Sequence, residues 1–174
     1  MMSHTKILAA AVAVVLGGSA VTALAATGTT SFQVTATVVN NCVINSTNIG
    51  FGNYDPTSAV AATATGTVTA RCTKGDVVSV ALNQGNNPAG GSTAAVPARQ
   101  MINGANLLPY HIYIAASPST TEWGTGPVGT NEPPAQTAAS VATALTFTTY
   151  GSLPAGADVP AGAYTDTVTA TVTF

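Results

Sequence analysis

The chain has 174 residues, of which 6% are charged, and a formal net charge of -2, where an ordinary globular domain carries about 25% charged residues. Its four lysines and arginines form no patch able to neutralise phosphates, which excludes a nucleic-acid partner. So little charge also leaves little like-charge repulsion to hold free copies apart, a composition suited to an assembly.

The first 25 residues read as a cleaved secretory signal. Lys6 lies in a short polar start, Ile7 to Leu16 form an apolar run, and Ala23-Leu24-Ala25 fits a small-residue cleavage site. A membrane anchor needs about 20 apolar residues, and Gly17-Gly18-Ser19 interrupts this run. The mature chain is therefore expected to carry no transmembrane anchor. About 150 residues remain, which suits one domain with a sizeable core.

Residues 26–41 form an N-terminal extension. Within it, Phe32, Val34, Ala36 and Val38 alternate with Gln33, Thr35 and Thr37, the period of a β-strand. Only Val39, Asn40 and Asn41 separate Val38 from Cys42, and three residues reach at most about 10 Å. A segment so closely tethered can hardly cross its own domain to a distant edge, which leaves two readings, an ordinary edge strand of its own sheet or a strand that serves another molecule. Cys42 and Cys72 are the only cysteines. In an exported chain they are expected to pair, and closing a loop of about 30 residues contributes roughly 3–4 kcal/mol. A metal site is not expected, because the mature chain offers a single histidine, His111.

The remaining alternating segments follow in order. Val68, Ala70 and Cys72 share one face of a strand, and Lys74-Gly75-Asp76 reads as a hairpin turn into Val77–Asn83. After a Gly- and Pro-rich loop from Gly85 to Ala98, Leu107–Ala115 carries Tyr110, Ile112 and Ile114 on one face and His111 and Tyr113 on the other. A long loop spans Ser117–Thr137, beyond the usual length of a plain connector. Val141, Leu145 and Phe147 mark the next strand, and Tyr164, Val168, Ala170, Val172 and Phe174 the last. Asp166 interrupts that last face, which places the start of the strand at a rim or a bulge. Strands without helices indicate an all-β antiparallel sandwich. The final strand ends with no partner beyond it, an open edge that invites another chain.

No residues stand out as catalytic. His111 sits in an alternating strand, and Asp55, Asp76, Glu122, Glu132, Asp158 and Asp166 are scattered without pairing. Gly124 to Gly129 resembles a phosphate loop only in having glycines, and no strand-to-helix context follows. Neither a cofactor nor an enzyme activity is expected. Trp123, beside Glu122, is a candidate surface-binding residue that would stack on a sugar ring; the alternative is a loop tryptophan folded onto the sandwich.

Seven motifs occur in order: FGNY (Phe51 to Tyr54), ARCTKG (Ala70 to Gly75), ARQM (Ala98 to Met101), LPYHIY (Leu108 to Tyr113), WGTG (Trp123 to Gly126), TTYGSLP (Thr148 to Pro154) and the terminal GAYTDTVTATVTF. Together they resemble the spore coat U domain family and, within it, archaic chaperone–usher pilus subunits. The resemblance covers essentially the whole mature chain. It implies an immunoglobulin-like β-sandwich, residues 42–174, that is incomplete for want of its last strand, and an N-terminal donor strand that completes a neighbour. By position, Phe32, Val34, Ala36 and Val38 become the donor side chains, and Cys42 and Cys72 the disulfide. Tyr164, Val168, Ala170, Val172 and Phe174 become the acceptor edge. The implied partners are further copies or sibling pilins, a periplasmic chaperone and an outer-membrane usher. The implied destination is the cell surface, reached through the periplasm, with attachment and biofilm formation as the role. The rival readings are an adhesive or carbohydrate-binding module and a self-associating spore or cell coat protein.

Overall fold

The computed structural model describes residues 25–174; the predicted signal, residues 1–25, lies outside them except for Ala25. Two units are distinguished, one ending at Ala36 and the other running from Thr37 to Phe174. In the described part of the first, residues 25–36, no strand forms, and Phe32 and Val34 are exposed.

The second unit is an all-β sandwich with no helix among the described residues. Its strands are β1 (Cys42–Thr47), β2 (Ala62–Cys72), β3 (Val77–Leu82), β4 (Arg99–Asn103), β5 (Asn106–Tyr113), β6 (Gln136–Thr137), β7 (Leu145–Leu153) and β8 (Ala170–Thr173). One sheet has the order β1-β2-β7-β5-β4 and the other β6-β3-β8, and every ladder is antiparallel.

Alternation drives this architecture. On β2, Val68, Ala70 and Cys72 are buried; Val78, Val80 and Leu82 on β3 meet them from the other sheet. Leu108, Tyr110 and Ile112 of β5 and Leu145, Phe147 and Leu153 of β7 complete the core. Each large apolar side chain so buried stabilises the fold by roughly 1.5–3 kcal/mol. Thr63, Thr65, Thr146 and Arg71 fall on the opposite, exposed face, as a period of two requires.

Three expectations change. Thr73 to Asp76 does form a tight turn, with the Asp76 N–H donating to the Thr73 carbonyl at 3.2 Å and Gly75 at φ 96°. Its two arms, however, enter different sheets, so it is a corner between layers and not a hairpin. The corner is held from outside: Gly75 N–H donates to Ala138 O at 2.8 Å and Ala138 N–H to Asp76 O at 2.9 Å. Val141 is 64% exposed in the turn before β7, so that strand begins at Leu145. Regular pairing of the terminal strand begins only at Ala170, yet the alternation itself continues through Asp166. Tyr164, Asp166, Val168, Ala170 and Val172 are half-buried while the threonines between them are exposed. Thr165 bridges to Ile102 of β4, whereas residues 170–173 pair with β3, so this segment runs from the edge of one sheet to the other.

The connection from β1 to β2 crosses the inner face of the large sheet. Ile49 and Phe51 pack there, over Gly151 of β7, where an added Cβ would lie 2.7 Å from Ile49 and 2.8 Å from Phe51. Tyr54 fixes the end of the crossing by donating to Pro154 O at 2.7 Å and accepting from Ala157 N–H at 2.8 Å. Two motifs far apart in sequence, FGNY and TTYGSLP, thereby meet.

Candidate functional site

The site is a cleft of about 520 Å³ between the β1 side of the large sheet and the terminal segment. Ser46, Ile49 and Phe51 line one wall; Tyr164, Asp166, Val168 and Ala170 line the other; Val68, Leu82, Met101, Tyr110 and Ile112 form the floor. Both walls are sheet edges, since β1 and β8 each stand last in their sheets among the described residues.

β1 is held differently from every other long strand. Of its six residues only Cys42 is not exposed. Ile44 lies opposite the fully buried Ala70 and so faces the core side, yet it is 44% exposed. What holds β1 is its ladder to β2 together with the disulfide between Cys42 and Cys72, which are register partners with a Cα–Cα distance of 4.1 Å. The expected pairing of the two cysteines is thus present.

The far wall contains a carboxylate in an otherwise apolar row. Asp166 accepts from Tyr110 OH at 2.6 Å, Asn86 N–H at 2.9 Å and Asn87 Nδ2 at 3.2 Å. Gly85 makes this approach possible: at φ 76° an added Cβ would lie 2.1 Å from Asp166 Oδ2. Tyr110 is buried, and its phenol is pushed far above its ordinary range, first by burial and then by the hydrogen bond to Asp166. Sequence reasoning treated Asp166 as an interruption. The signal available was its parity, because it shares even numbering with Tyr164 and Val168.

Behind the floor lies a second polar centre, built on Arg99 of β4. Its side chain is fully buried; Nε and Nη2 donate to Asn83 O at 3.0 and 2.6 Å, and Nη2 also donates to Trp123 O at 2.6 Å. Nη1 faces Glu122 Oε2 at 3.6 Å, and the other Glu122 oxygen meets His111 Nδ1. Burial lowers the Arg99 pKa from its ordinary value, countered in part by Tyr110, Glu122 and Asp166. Asn83 passes the restraint on to the terminal segment, since its Oδ1 accepts from Thr169 N–H at 2.9 Å.

Trp123 is corrected by the same geometry. It is fully buried, and its Nε1–H donates to Val80 O at 2.8 Å, so the surface-binding reading of Trp123 does not hold. The long loop folds back along β5, with Trp123 N–H donating to Ile112 O at 2.8 Å, and this carries the indole into the core. His111 remains half-exposed, stacked on Tyr113 at a centroid distance of 5.4 Å. Among the described residues no group of His, Cys, Asp and Glu is placed to hold a metal ion, and no helix is long and apolar enough to cross a membrane.

Of the residues expected to act, Tyr164, Val168 and Ala170 line the cleft, Val172 pairs with Val80 on β3, and Phe174 is 47% exposed at the chain end. Phe32, Val34 and Val38 are each more than 80% exposed, at 85%, 83% and 82%, and Ala36 is exposed as well. None of the four belongs to a ladder among the described residues.

A family model described as Spore Coat Protein U domain matches residues 28–171. Protein U of Myxococcus xanthus is 36% identical over 161 residues, which cover 86% of this chain and 87% of that protein. Among solved structures, the fold is shared with the CsuC–CsuE chaperone–tip adhesion subunit pre-assembly complex from the archaic chaperone–usher Csu pili of Acinetobacter baumannii. The TM-score is 0.53 at 22% identity, over 79% of this chain and 40% of the solved chain. The chain thus spans about 40% of the length of that solved chain, and the likeness is one of fold.

Proposed function

Because the chain belongs to the Spore Coat Protein U domain family, we propose that it is an exported structural subunit of a surface pilus, polymerised by donor-strand exchange. Residues 26–41 of one copy enter the cleft of the next, with Phe32, Val34, Ala36 and Val38 as the inserted side chains. Tyr164, Val168, Ala170, Val172 and Phe174 form the receiving edge. A periplasmic chaperone occupies the cleft until an outer-membrane usher exchanges it for the neighbour's strand, and the resulting fibre serves attachment and biofilm formation. No catalysis is involved.

The observation that carries this reading is the cleft itself, a groove with an apolar floor flanked by two sheet edges, one of them a terminal segment whose inward row is apolar except at Asp166. Adding a strand supplies main-chain hydrogen bonds along the edge and specificity through alternate side chains. Burial of Phe32, Val34 and Val38 contributes on the order of 5–9 kcal/mol before ordering costs. The fold shared with a chaperone-bound adhesion subunit supports a chaperone as partner.

A core consisting of Cys42 to Phe174 and a peptide of residues Thr29–Val39 test the reading directly. The core alone is expected to melt well below the mature chain, and the peptide to raise its melting temperature sharply. A core as stable as the mature chain, indifferent to the peptide, overturns the proposal. In the full chain, Val34→Asp is expected to abolish fibres while leaving a folded subunit. The family description and the likeness to Protein U favour a second reading, a coat protein that self-associates without an usher. Assembly of the purified mature chain at a rate unaffected by any chaperone would select it.

A further inference from the structure

We propose that the cleft accepts residues 28–38 of a second copy in one register only, the one that sets Ala36 against Asp166. This rests on the donor-strand reading and deepens it, by naming what fixes the position of the inserted strand.

Every ladder among the described residues is antiparallel, and an added strand runs antiparallel to residues 164–174 in the same way. The terminal segment turns its even-numbered side chains inward, and the donor segment has its apolar residues at even numbers too. Registers that bury both rows therefore differ by steps of two residues, since a one-residue slip would turn the apolar row outward.

Asp166 discriminates among these steps. It is the only carboxylate of its row, and its oxygens are already engaged by Tyr110, Asn86 and Asn87. It needs no polar partner from the incoming strand; it needs room. Ala36 is the smallest member of the row Phe32-Val34-Ala36-Val38. Set Ala36 opposite Asp166, and Val34 faces Val168, Phe32 faces the small Ala170, Thr30 faces Val172 and Gly28 faces Phe174. The two phenylalanines, Phe32 and Phe174, then each meet a small residue, which gives them room to pack. A slip of two residues one way presses Val34 onto the carboxylate; a slip the other way presses Val38 onto it.

A slip of four would bring Asn40 to Asp166, but that residue is not free to move. Asn41 N–H donates to Thr73 Oγ1 at 2.9 Å and Thr73 N–H donates to Asn41 O at 3.0 Å, while Thr73 Oγ1 donates to Val39 O at 3.3 Å. Residues 39–41 are thereby tied to their own domain, and Val38 is the last residue available to a neighbour. In the proposed register Val38 faces Tyr164, where the row begins.

The test uses the full mature chain with one cysteine fixed at Val168→Cys and a second moved along the donor segment: Phe32→Cys, Val34→Cys or Ala36→Cys. Directly opposed residues place their Cβ atoms about 4.5–5.5 Å apart and diagonal neighbours about 7–8 Å, so only the opposed pair approaches disulfide geometry. Oxidised assemblies are resolved by non-reducing electrophoresis. The expected result is a ladder of covalent multimers for V34C/V168C and its loss for the other two pairs. A ladder that appears instead with F32C or A36C overturns the register while leaving strand exchange standing. If no pair yields intermolecular disulfides, or links form only within single chains, in protein that retains its Cys42–Cys72 bond, the exchange reading fails as well.

Discussion

Replacing Arg99 with methionine removes the buried cation while keeping most of its volume, so the change isolates electrostatics from cavity formation. Three hydrogen bonds to the carbonyls of Asn83 and Trp123 are lost, and the Glu122 carboxylate, 10% exposed, loses its cationic partner at 3.6 Å. A buried carbonyl left without a donor costs about 1–3 kcal/mol, and removing one member of a buried ion pair about 3–5 kcal/mol. These overlap, and a total near 4 kcal/mol is expected. With a urea slope of about 2 kcal/mol per molar for a domain of this size, the unfolding midpoint falls by roughly 2 M. Trp123, the single tryptophan, accepts one of the lost bonds and reports the transition by fluorescence. The double variant R99M/E122Q removes the stranded charge and should recover about 1–2 kcal/mol, because the two sites are coupled. A midpoint lowered by less than about 0.5 M, or strict additivity in the double variant, would refute the reasoning that Arg99 holds this junction.

Trp123→Phe is expected to cost about 2–3 kcal/mol by leaving Val80 O without its donor and shrinking a fully buried ring; near-wild-type thermal stability would contradict the core assignment. Tyr110→Phe should change the response to alkali. The folded-state pKa of Tyr110 lies above its unfolded value of about 10, so its stabilisation is complete below that pH and is lost above it, by up to about 1.4 kcal/mol per pH unit. Urea midpoints measured at about pH 9 and pH 11 should therefore converge in Y110F relative to the unsubstituted chain; an identical fall in both would count against it. Cys42→Ser with Cys72→Ser should lower stability by about 3–4 kcal/mol, and hydrogen exchange should rise first in β1, which buries no complete side chain. Uniform loss of protection across β2 and β7 would argue that β1 is not the part the disulfide holds.

Alternation alone revealed β2, β3, β5 and the inward row of the terminal segment, because each carries at least three apolar residues at spacing two, and it revealed β7 from Leu145 and Phe147. It did not reveal β1 or β4. β1 carries Val43 and Ile44 side by side and buries neither fully, so its strand character comes from pairing with β2 and leaves no pattern. In β4 the most buried residue is Arg99, which a hydropathy reading assigns to the surface. The corner at Lys74-Gly75-Asp76 was legible as a turn but not as a change of sheet, since both outcomes need the same glycine at positive φ; what decides is the distant Ala138, which bonds both Gly75 and Asp76. The cleft was legible only in half. Tyr164, Val168 and Ala170 followed from parity, whereas Ile49, Phe51 and Met101 on its other sides come from connections and a short strand without periodicity.

The two edges that flank the cleft share a further property. Sheets that end at an exposed edge ordinarily blunt it with lysine, proline or a bulge that twists it away, because unpaired backbone groups recruit other chains. β1 reads Cys-Val-Ile-Asn-Ser-Thr and carries neither charge nor proline. The terminal segment from Tyr164 to Phe174 has one charged side chain, Asp166, and turns it inward to Tyr110. With outward-facing threonines from Thr165 to Thr173, that segment presents a flat strand of high β-propensity to its surroundings. Protection is therefore missing at both edges at once, and both border the same groove. Two unrelated weaknesses would not be expected to coincide on opposite sides of one cleft; a single inserted strand, hydrogen-bonded to either wall, would close them together.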